Sequence, residues 1–475
     1  MTTENEENVT RYRAIARVLL SKIERGEWPD GLLPGRRDLM DTFSASRRTI
    51  DSALDILEQG RWIKREPKRR PRILASESAF SDKLGIFLSR SGFREPRSSQ
   101  ALRRFDVPAS ATGAKKRVVE LAAYVAENWA EHAVSDIEHR AALAALKELR
   151  SGDMRIFDTL GIEELKKAIC RRVARWGIKA KPSEVCIVSR RLQAYRLLSD
   201  VLIGPTTELW YPAVSLVKHC GIADRHTRRR CELPIDENSG VRINDFMISR
   251  SPKVLMIEPD EAVPMGVTLP ELERGVLVDE ARKSGAFIIE DIFCREVTEG
   301  EFPPPMMSLD PRKESVVLIG GHPLWLSPLA THTFIIANEQ LIEHLLACAR
   351  RDYLIPEVFG QVVAAKIDEL KLHDEMISRF LEFQRAHIAR VDEILRETFG
   401  DRFTWRMPAG FGTIWLDLSG VDLKRIHRHR EDVNFMPGWY FGEKEARHVA
   451  LRYTLRLEDI REGVRRLACL IDEWG

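Results

Sequence analysis

Ser46, Arg47, Arg48 and Thr49 stand side by side at the front of a segment whose apolar residues recur at helical spacing. Arginines suit guanine edges and phosphates, and hydroxyls suit either partner. Arg37, on the preceding stretch, can hold a phosphate. The segment Arg61–Arg72 carries seven cationic side chains against one acid, Glu66, and its tip reads Lys68, Arg69 and Arg70. An isolated basic run is usually a solvated surface. Beside a helix that can read bases, it suits a wing laid along DNA phosphates.

The elements that must position these side chains are legible. Ile15, Val18, Leu19 and Ile23 fall on one helical face, and Trp28-Pro29-Asp30-Gly31 supplies a turn. Pro34 can open a second helix containing Leu39 and Met40. Phe43 to Ser46 makes the turn, and a third helix buries Ile50, Ala53, Leu54 and Leu57. Trp62-Ile63-Lys64 and Pro71-Arg72-Ile73-Leu74 read as two short strands. Three helices and a hairpin predict a winged helix-turn-helix over residues 1–75, with the front of the third helix in the major groove.

Composition bounds the remainder. The 475 residues suggest about three structural units, and 44% apolar content is ordinary for a globular chain. A net charge of +2 means that nucleic-acid affinity must come from a local patch. No run of about 18 apolar residues occurs, and the opening MTTENEENVT is polar, so neither a membrane span nor a secretory leader is expected. The seven cysteines are scattered, with no C-x-x-C pair, which fits a reducing cytoplasm and no metal.

Residues 76–118 are rich in Ser, Arg, Pro, Gly and Ala and read as a linker. From 119 onward, helical stretches at 116–130, 138–150, 162–175 and 190–203 alternate with apolar runs. The predicted strands are Val185–Val188, Glu208–Tyr211, Val254–Ile257, Ala286–Ile289, Val316–Ile319 and Thr333–Ala337. That order implies an α/β sheet covered on both faces over 119–345. Strand-like segments near 403–405, 413–418 and 449–454, with helices on both sides, make 346–475 a smaller α+β part.

Residues 11–75 resemble the GntR family of bacterial regulators. The resemblance is carried by Tyr12, Ile23-Glu24-Arg25-Gly26, Leu33-Pro34-Gly35-Arg36-Arg37-Asp38-Leu39, Ala45-Ser46-Arg47-Arg48-Thr49-Ile50 and Gly60. It implies that Arg37, Arg47 and Thr49 contact DNA. The family's Gly-x-Gly at the wing tip is replaced by Lys68-Arg69-Arg70-Pro71.

The rest of the chain resembles the fold-type-I aminotransferases, and the whole resembles the MocR-type regulators, which join such a domain to a winged helix. The landmarks run in order: Gly152 to Leu165, Pro212, Pro259 with Val263-Pro264-Met265-Gly266, Ile288-Ile289-Glu290-Asp291, and Leu318-Ile319-Gly320 with Pro328. The resemblance implies a two-fold dimer and a pocket for pyridoxal phosphate, whose chemistry needs a lysine amine. That lysine position is Leu324, and no lysine lies between Glu314 and Leu341. The phosphate-cradling residues become Ser189-Arg190-Arg191, and the ring-stacking tyrosine becomes Val214. The tyrosine facing the phenolic oxygen becomes Phe293, and a His-Gln pair becomes Glu261-Ala262. Asp291, the pyridinium partner, survives, as does Arg452, which matches a substrate-carboxylate arginine. Asp291 reads equally as a capping carboxylate. Arg190 and Arg191 could bind an anion at a helix start or pair with Glu261 or Asp291.

The sequence thus predicts a homodimeric regulator of a double-stranded DNA operator. Its aminotransferase-like domain would bind no pyridoxal phosphate, catalyse nothing, and possess a degenerate pocket that is either closed or given over to another effector. The rival reading is a pyridoxal-phosphate sensor or enzyme that uses a displaced lysine.

Overall fold

The apolar stripes of the first 73 residues meet around one small core. In the computed structural model, α1 (Thr3–Glu24), α2 (Arg36–Phe43) and α3 (Arg47–Gln59) pack together, and β1 (Ile63–Lys64) pairs antiparallel with β2 (Arg72–Ile73). The structure describes residues 3–24, 27–59, 62–67, 69–73, 119–121, 131–149, 160–222, 227, 229–236, 240–243, 246, 252–293, 295–354, 356–410, 413–428, 433–444 and 446–475. Ile15, Leu19, Ile23, Leu39, Ile50, Leu54, Leu57 and Ile63 form the buried cluster. Val18, expected on that face, is 43% exposed, and Ala16 is buried instead. A bridge from Leu32 to Arg72 adds a third chain segment to the hairpin, completing a winged helix.

The chain divides into two compact units, Met1–Glu95 and Pro96–Gly475. The expected linker and the boundaries at 75 and 118 lie outside the described residues.

The second unit is built on a seven-stranded sheet in the order β4-β10-β9-β8-β7-β5-β6. Its strands are β4 (Val185–Val188), β5 (Glu208–Pro212), β6 (Arg230–Leu233), β7 (Lys253–Ile257), β8 (Phe287–Asp291), β9 (Val316–His322) and β10 (His332–Ile336). Neighbours from β6 to β9 pair in parallel, whereas β10 runs antiparallel to both β9 and β4. Successive residues face opposite sides, and both sides are covered. Leu255, Ile288 and Leu318 join a core shared with α4 (Glu131–Glu148), α5 (Glu163–Ala174) and α7 (Glu271–Ser284). Met256, Ile289 and Ile319 join another with α6 (Arg191–Leu202) and α8 (Glu339–Arg351). All six predicted strands of this sheet are present. The edge strand β6 was not predicted, because its Arg-Cys-Glu-Leu sequence lacks an apolar run.

The smaller part contains α9 (Val358–Glu369), α10 (His373–Phe399) and α11 (Leu457–Trp474). Its antiparallel sheet combines β11 (Thr404–Arg406), β12 (Ile414–Asp417), β14 (Met436–Pro437) and β15 (His448–Leu451). One expectation fails here. Residues 116–130 were expected to be helical and to belong to the large part; of these, 119–121 are among the described residues, and the expectation fails there. Instead Val119–Glu120 form β3, paired in parallel with β13 (Val433–Asn434). Leu121 N–H donates to Asn434 O at 2.8 Å, and Arg452 N–H donates to Leu121 O at 3.0 Å. These tertiary backbone bonds override the local helical pattern.

No helix of the described residues is long and apolar enough to cross a membrane.

Candidate functional site

In the first unit, Ser46 caps α3. Its Oγ accepts from the Thr49 N–H at 3.2 Å and lies 2.8 Å from the Thr49 hydroxyl. Such a cap satisfies one of the orphan donors at a helix start. Thr49 is therefore buried, with its hydroxyl engaged inside the unit, and is not on the exposed face with its neighbours. Arg37, Arg47 and Arg48 are exposed. Asp51 pairs with Arg36 at 2.6 Å and reaches Arg47 at 3.8 Å, linking the start of α2 to the front of α3. In the wing, Arg69 projects outward with 79% of its side chain exposed, beside Glu66 at 3.4 Å. Arg70 turns back instead. Its guanidinium donates to Leu33 O at 2.9 Å and Leu32 O at 3.0 Å, and it pairs with Asp30 at 3.3 Å. That geometry ties the wing to the loop before α2. Lys68 lies outside the described residues.

In the second unit, the expected pocket residues collect at the carboxyl ends of β4, β5, β7, β8 and β9, where open α/β sheets bind ligands. Ser189 follows β4, and its N–H donates to Gln193 Oε1 at 2.8 Å. Arg190 caps α6 and is exposed. Arg191, the first residue of α6, points inward. Its Nε donates to Asp291 Oδ2 at 2.5 Å, and its Nη2 donates to Glu258 Oε1. The guanidinium carbon lies 5.4 Å from the centre of the Phe293 ring. The Phe293 N–H donates to Asp291 Oδ1 at 2.9 Å. Asp291 and Glu258 are deep in the unit, and burial holds the Glu258 carboxyl above its usual range despite Arg191. Burial and the charge of Asp291 likewise push the Tyr195 phenol, one turn along α6, well above its usual range.

Glu258 went unnoticed in sequence because an acid beside a proline reads as a solvated strand end. Glu261, considered as a partner for Arg191, faces elsewhere and accepts from the Ala409 N–H at 3.0 Å. Val214 packs with Val263, Met265, Val267, Met436 and Phe441. A small, mostly apolar pocket lies between Val214 and Glu258, with Val263, Met265 and Val267 on its walls. Leu324 is half-buried beyond β9. Arg452 is buried beside His219, and burial together with that cation pushes the His219 imidazole down to about 4.

Beyond Val214 a wider cleft of about 730 Å³ opens between the two parts of the unit. Arg242, Trp405, Arg406, Trp415, Glu443, Lys444, Arg447 and His448 line it. Trp415 stacks on His448 at 4.7 Å, and Arg447 pairs with Asp417 at 3.6 Å.

Comparison with known proteins matches this two-unit plan. No family model matches the chain. It is 23% identical over 488 aligned residues to the uncharacterized HTH-type transcriptional regulator YdfD of Bacillus subtilis, spanning 98% of this chain and 96% of that protein. It is 22% identical over 351 residues to an aspartate aminotransferase of Sulfurisphaera tokodaii, spanning 69% of this chain and 85% of that one. Among solved structures, the multiple substrate aminotransferase of Thermococcus profundus covers 80% of this chain and 96% of its own, with a TM-score of 0.67 and 23% identity. The second unit therefore has the aminotransferase fold, and full-length similarity runs to HTH-type regulators. A winged helix joined to that fold on one chain fits a MocR-type regulator.

Proposed function

We propose that the protein is a cytoplasmic, dimeric DNA-binding transcription regulator whose aminotransferase-like unit performs no pyridoxal-phosphate chemistry. The observation that carries this reading is Arg191, whose guanidinium stands between Asp291 and Glu258 in the seat where the fold would hold the cofactor. The residues present do not fit pyridoxal phosphate. Leu324 offers no amine, Val214 no stacking ring and Phe293 no hydroxyl, and the Arg191 guanidinium already stands between the two carboxylates. The exposed arginines of α3 and the wing supply the DNA-facing surface, and a second copy doubles it through effective concentration. The cleft of about 730 Å³ is large enough for an effector.

Genome-wide capture of DNA by the purified full chain, followed by footprinting, tests the regulator reading. A defined operator supports it, and uniform weak binding to all DNA overturns it. Absorbance and borohydride trapping after incubation with pyridoxal phosphate test the other half. A stoichiometric adduct at a pocket lysine would instead establish the displaced-lysine enzyme.

A further inference from the structure

Away from that pocket, separate elements of the second unit bring Arg172, Glu296, His322, His332 and His373 together in its interior. Arg172 lies in α5, His322 ends β9, His332 begins β10, His373 begins α10, and Glu296 sits in the short turn after β8. All three histidines are buried. His322 Nε2 lies 2.9 Å from Glu296 Oε2 and 3.3 Å from His373 Nε2, and His373 Nε2 lies 3.6 Å from Glu296 Oε1.

Hydrogen bonding alone does not satisfy this meeting. His373 Nδ1 faces Asp374 Oδ1 at 3.3 Å, and His332 Nδ1 faces Ala330 O at 2.8 Å. A ring nitrogen facing an oxygen acceptor carries the proton, so both Nε2 atoms present lone pairs to the interior. Glu296 brings more lone pairs. His322 Nε2 faces Arg172 Nη1 at 2.6 Å and the Glu296 carboxylate at once. As a donor it opposes the guanidinium, and as an acceptor it opposes the carboxylate. His322 Nδ1 and Arg172 Nε are buried with no hydrogen-bond partner. Arg172 Nη2 meets the His332 Nε2 lone pair at 3.1 Å, so the acceptors left to share protons are those of His322, His373 and Glu296.

We propose that Glu296, His322 and His373 form a three-residue binding site for a divalent transition-metal ion of the zinc class, with the fourth position open to water or another ligand. Tetrahedral zinc, with bonds of about 2.0–2.1 Å to nitrogen and oxygen, separates neighbouring donor atoms by about 3.3 Å. The 3.3 Å between His322 Nε2 and His373 Nε2 matches that edge, and Glu296 faces His322 with Oε2 at 2.9 Å and His373 with Oε1 at 3.6 Å. The Asp374 carboxylate behind the His373 imidazole is the kind of outer partner that orients a metal-binding histidine. Arg172 is the competitor. It lies 3.7 Å from Glu296 and balances its charge when no ion is present, so loading is an exchange of guanidinium for metal. The inference rests on this cluster and not on the regulatory reading.

The full chain, stripped with chelator and carrying no affinity tag, is titrated with Co²⁺ and then Zn²⁺. One tetrahedral cobalt spectrum per chain, bleached by one equivalent of zinc, is expected. His322→Ala and His373→Ala should weaken binding at least ten-fold, as roughly that much follows even from losing outer partners. Arg172→Gln should tighten it. X-ray absorption of zinc-loaded wild type should give a nitrogen and oxygen shell containing imidazoles, a readout that survives if a variant fails to fold. Absence of stoichiometric binding, a sulfur-containing shell, or unchanged affinity in folded His322→Ala and His373→Ala overturns the site. Failure of Arg172→Gln to bind tighter overturns the exchange.

Discussion

Arg191 Nε lies 2.5 Å from Asp291 Oδ2, and the same guanidinium reaches Glu258, so one cation serves two buried carboxylates. Removing one partner of a buried pair leaves uncompensated charge. Arg191→Ala should therefore destabilise the second unit by about 3–5 kcal/mol. Adding Asp291→Asn and Glu258→Gln should recover much of that loss, since the orphaned charges go with it. Denaturant unfolding of the three proteins measures this. Equal stability of wild type and Arg191→Ala would show that the cluster is not a structural pair.

The same geometry bears on cofactor chemistry. Incubation with excess pyridoxal phosphate, borohydride reduction and intact-mass analysis should give no stoichiometric adduct within the pocket. Leu324→Lys restores an amine but leaves Arg191 in the seat and Val214 and Phe293 on its walls. It should produce no transaminase turnover. Scattered surface adducts are compatible with this reading, whereas turnover by the single substitution is not.

In the DNA-binding head, exposure separates the roles of neighbouring residues. Arg47→Ala should weaken operator binding by about 1–3 kcal/mol through lost base contacts. Arg69→Ala should weaken all sequences alike and reduce the salt slope by about one. Thr49 was expected to read DNA directly, but its hydroxyl meets Ser46 within the cap. Thr49→Ala should instead cost about 1 kcal/mol of stability in the head, through the lost hydroxyl contact with Ser46. Anisotropy titrations over a salt series, paired with thermal melts, distinguish these outcomes. Wild-type affinity in Arg47→Ala would remove α3 as the reading element.

The strands of the large sheet were legible because burial on both faces writes them as unbroken apolar runs, such as Val185–Val188 and Val316–Ile319. Pairs of residues held only by distant backbone were not. Val119–Glu120 and Val433–Asn434 are too short to carry a pattern, and their pairing spans most of the unit. In the proposed pocket, Leu324, Val214 and Phe293 could be weighed from residue type alone, at positions that the resemblance assigns. Arg191 was ambiguous between binding an anion and filling the seat, and only its partners decide. The histidine cluster was invisible, since Arg172, Glu296, His322 and His373 come from different elements and share no spacing.

His219 gives a prediction with a definite sign. It is 2% exposed, its ring stacks on Phe441 at 4.6 Å, and burial beside Arg452 lowers it from 6.5 to about 4. The folded unit holds this imidazole neutral, while the unfolded chain protonates it near its ordinary value. A depressed folded value means that its contribution is complete above about pH 6.5 and is lost as pH falls toward about 4. Between about pH 7 and pH 5 the second unit should lose about 2 kcal/mol from this group. His219→Phe keeps a ring against Phe441 and removes the proton site. Its unfolding free energy should fall less steeply with acid than that of the wild type, by about that amount. Because the chain has two units, the transition of the second unit must be followed separately. Parallel pH profiles for the two proteins would show that His219 does not titrate differently in the folded and unfolded states.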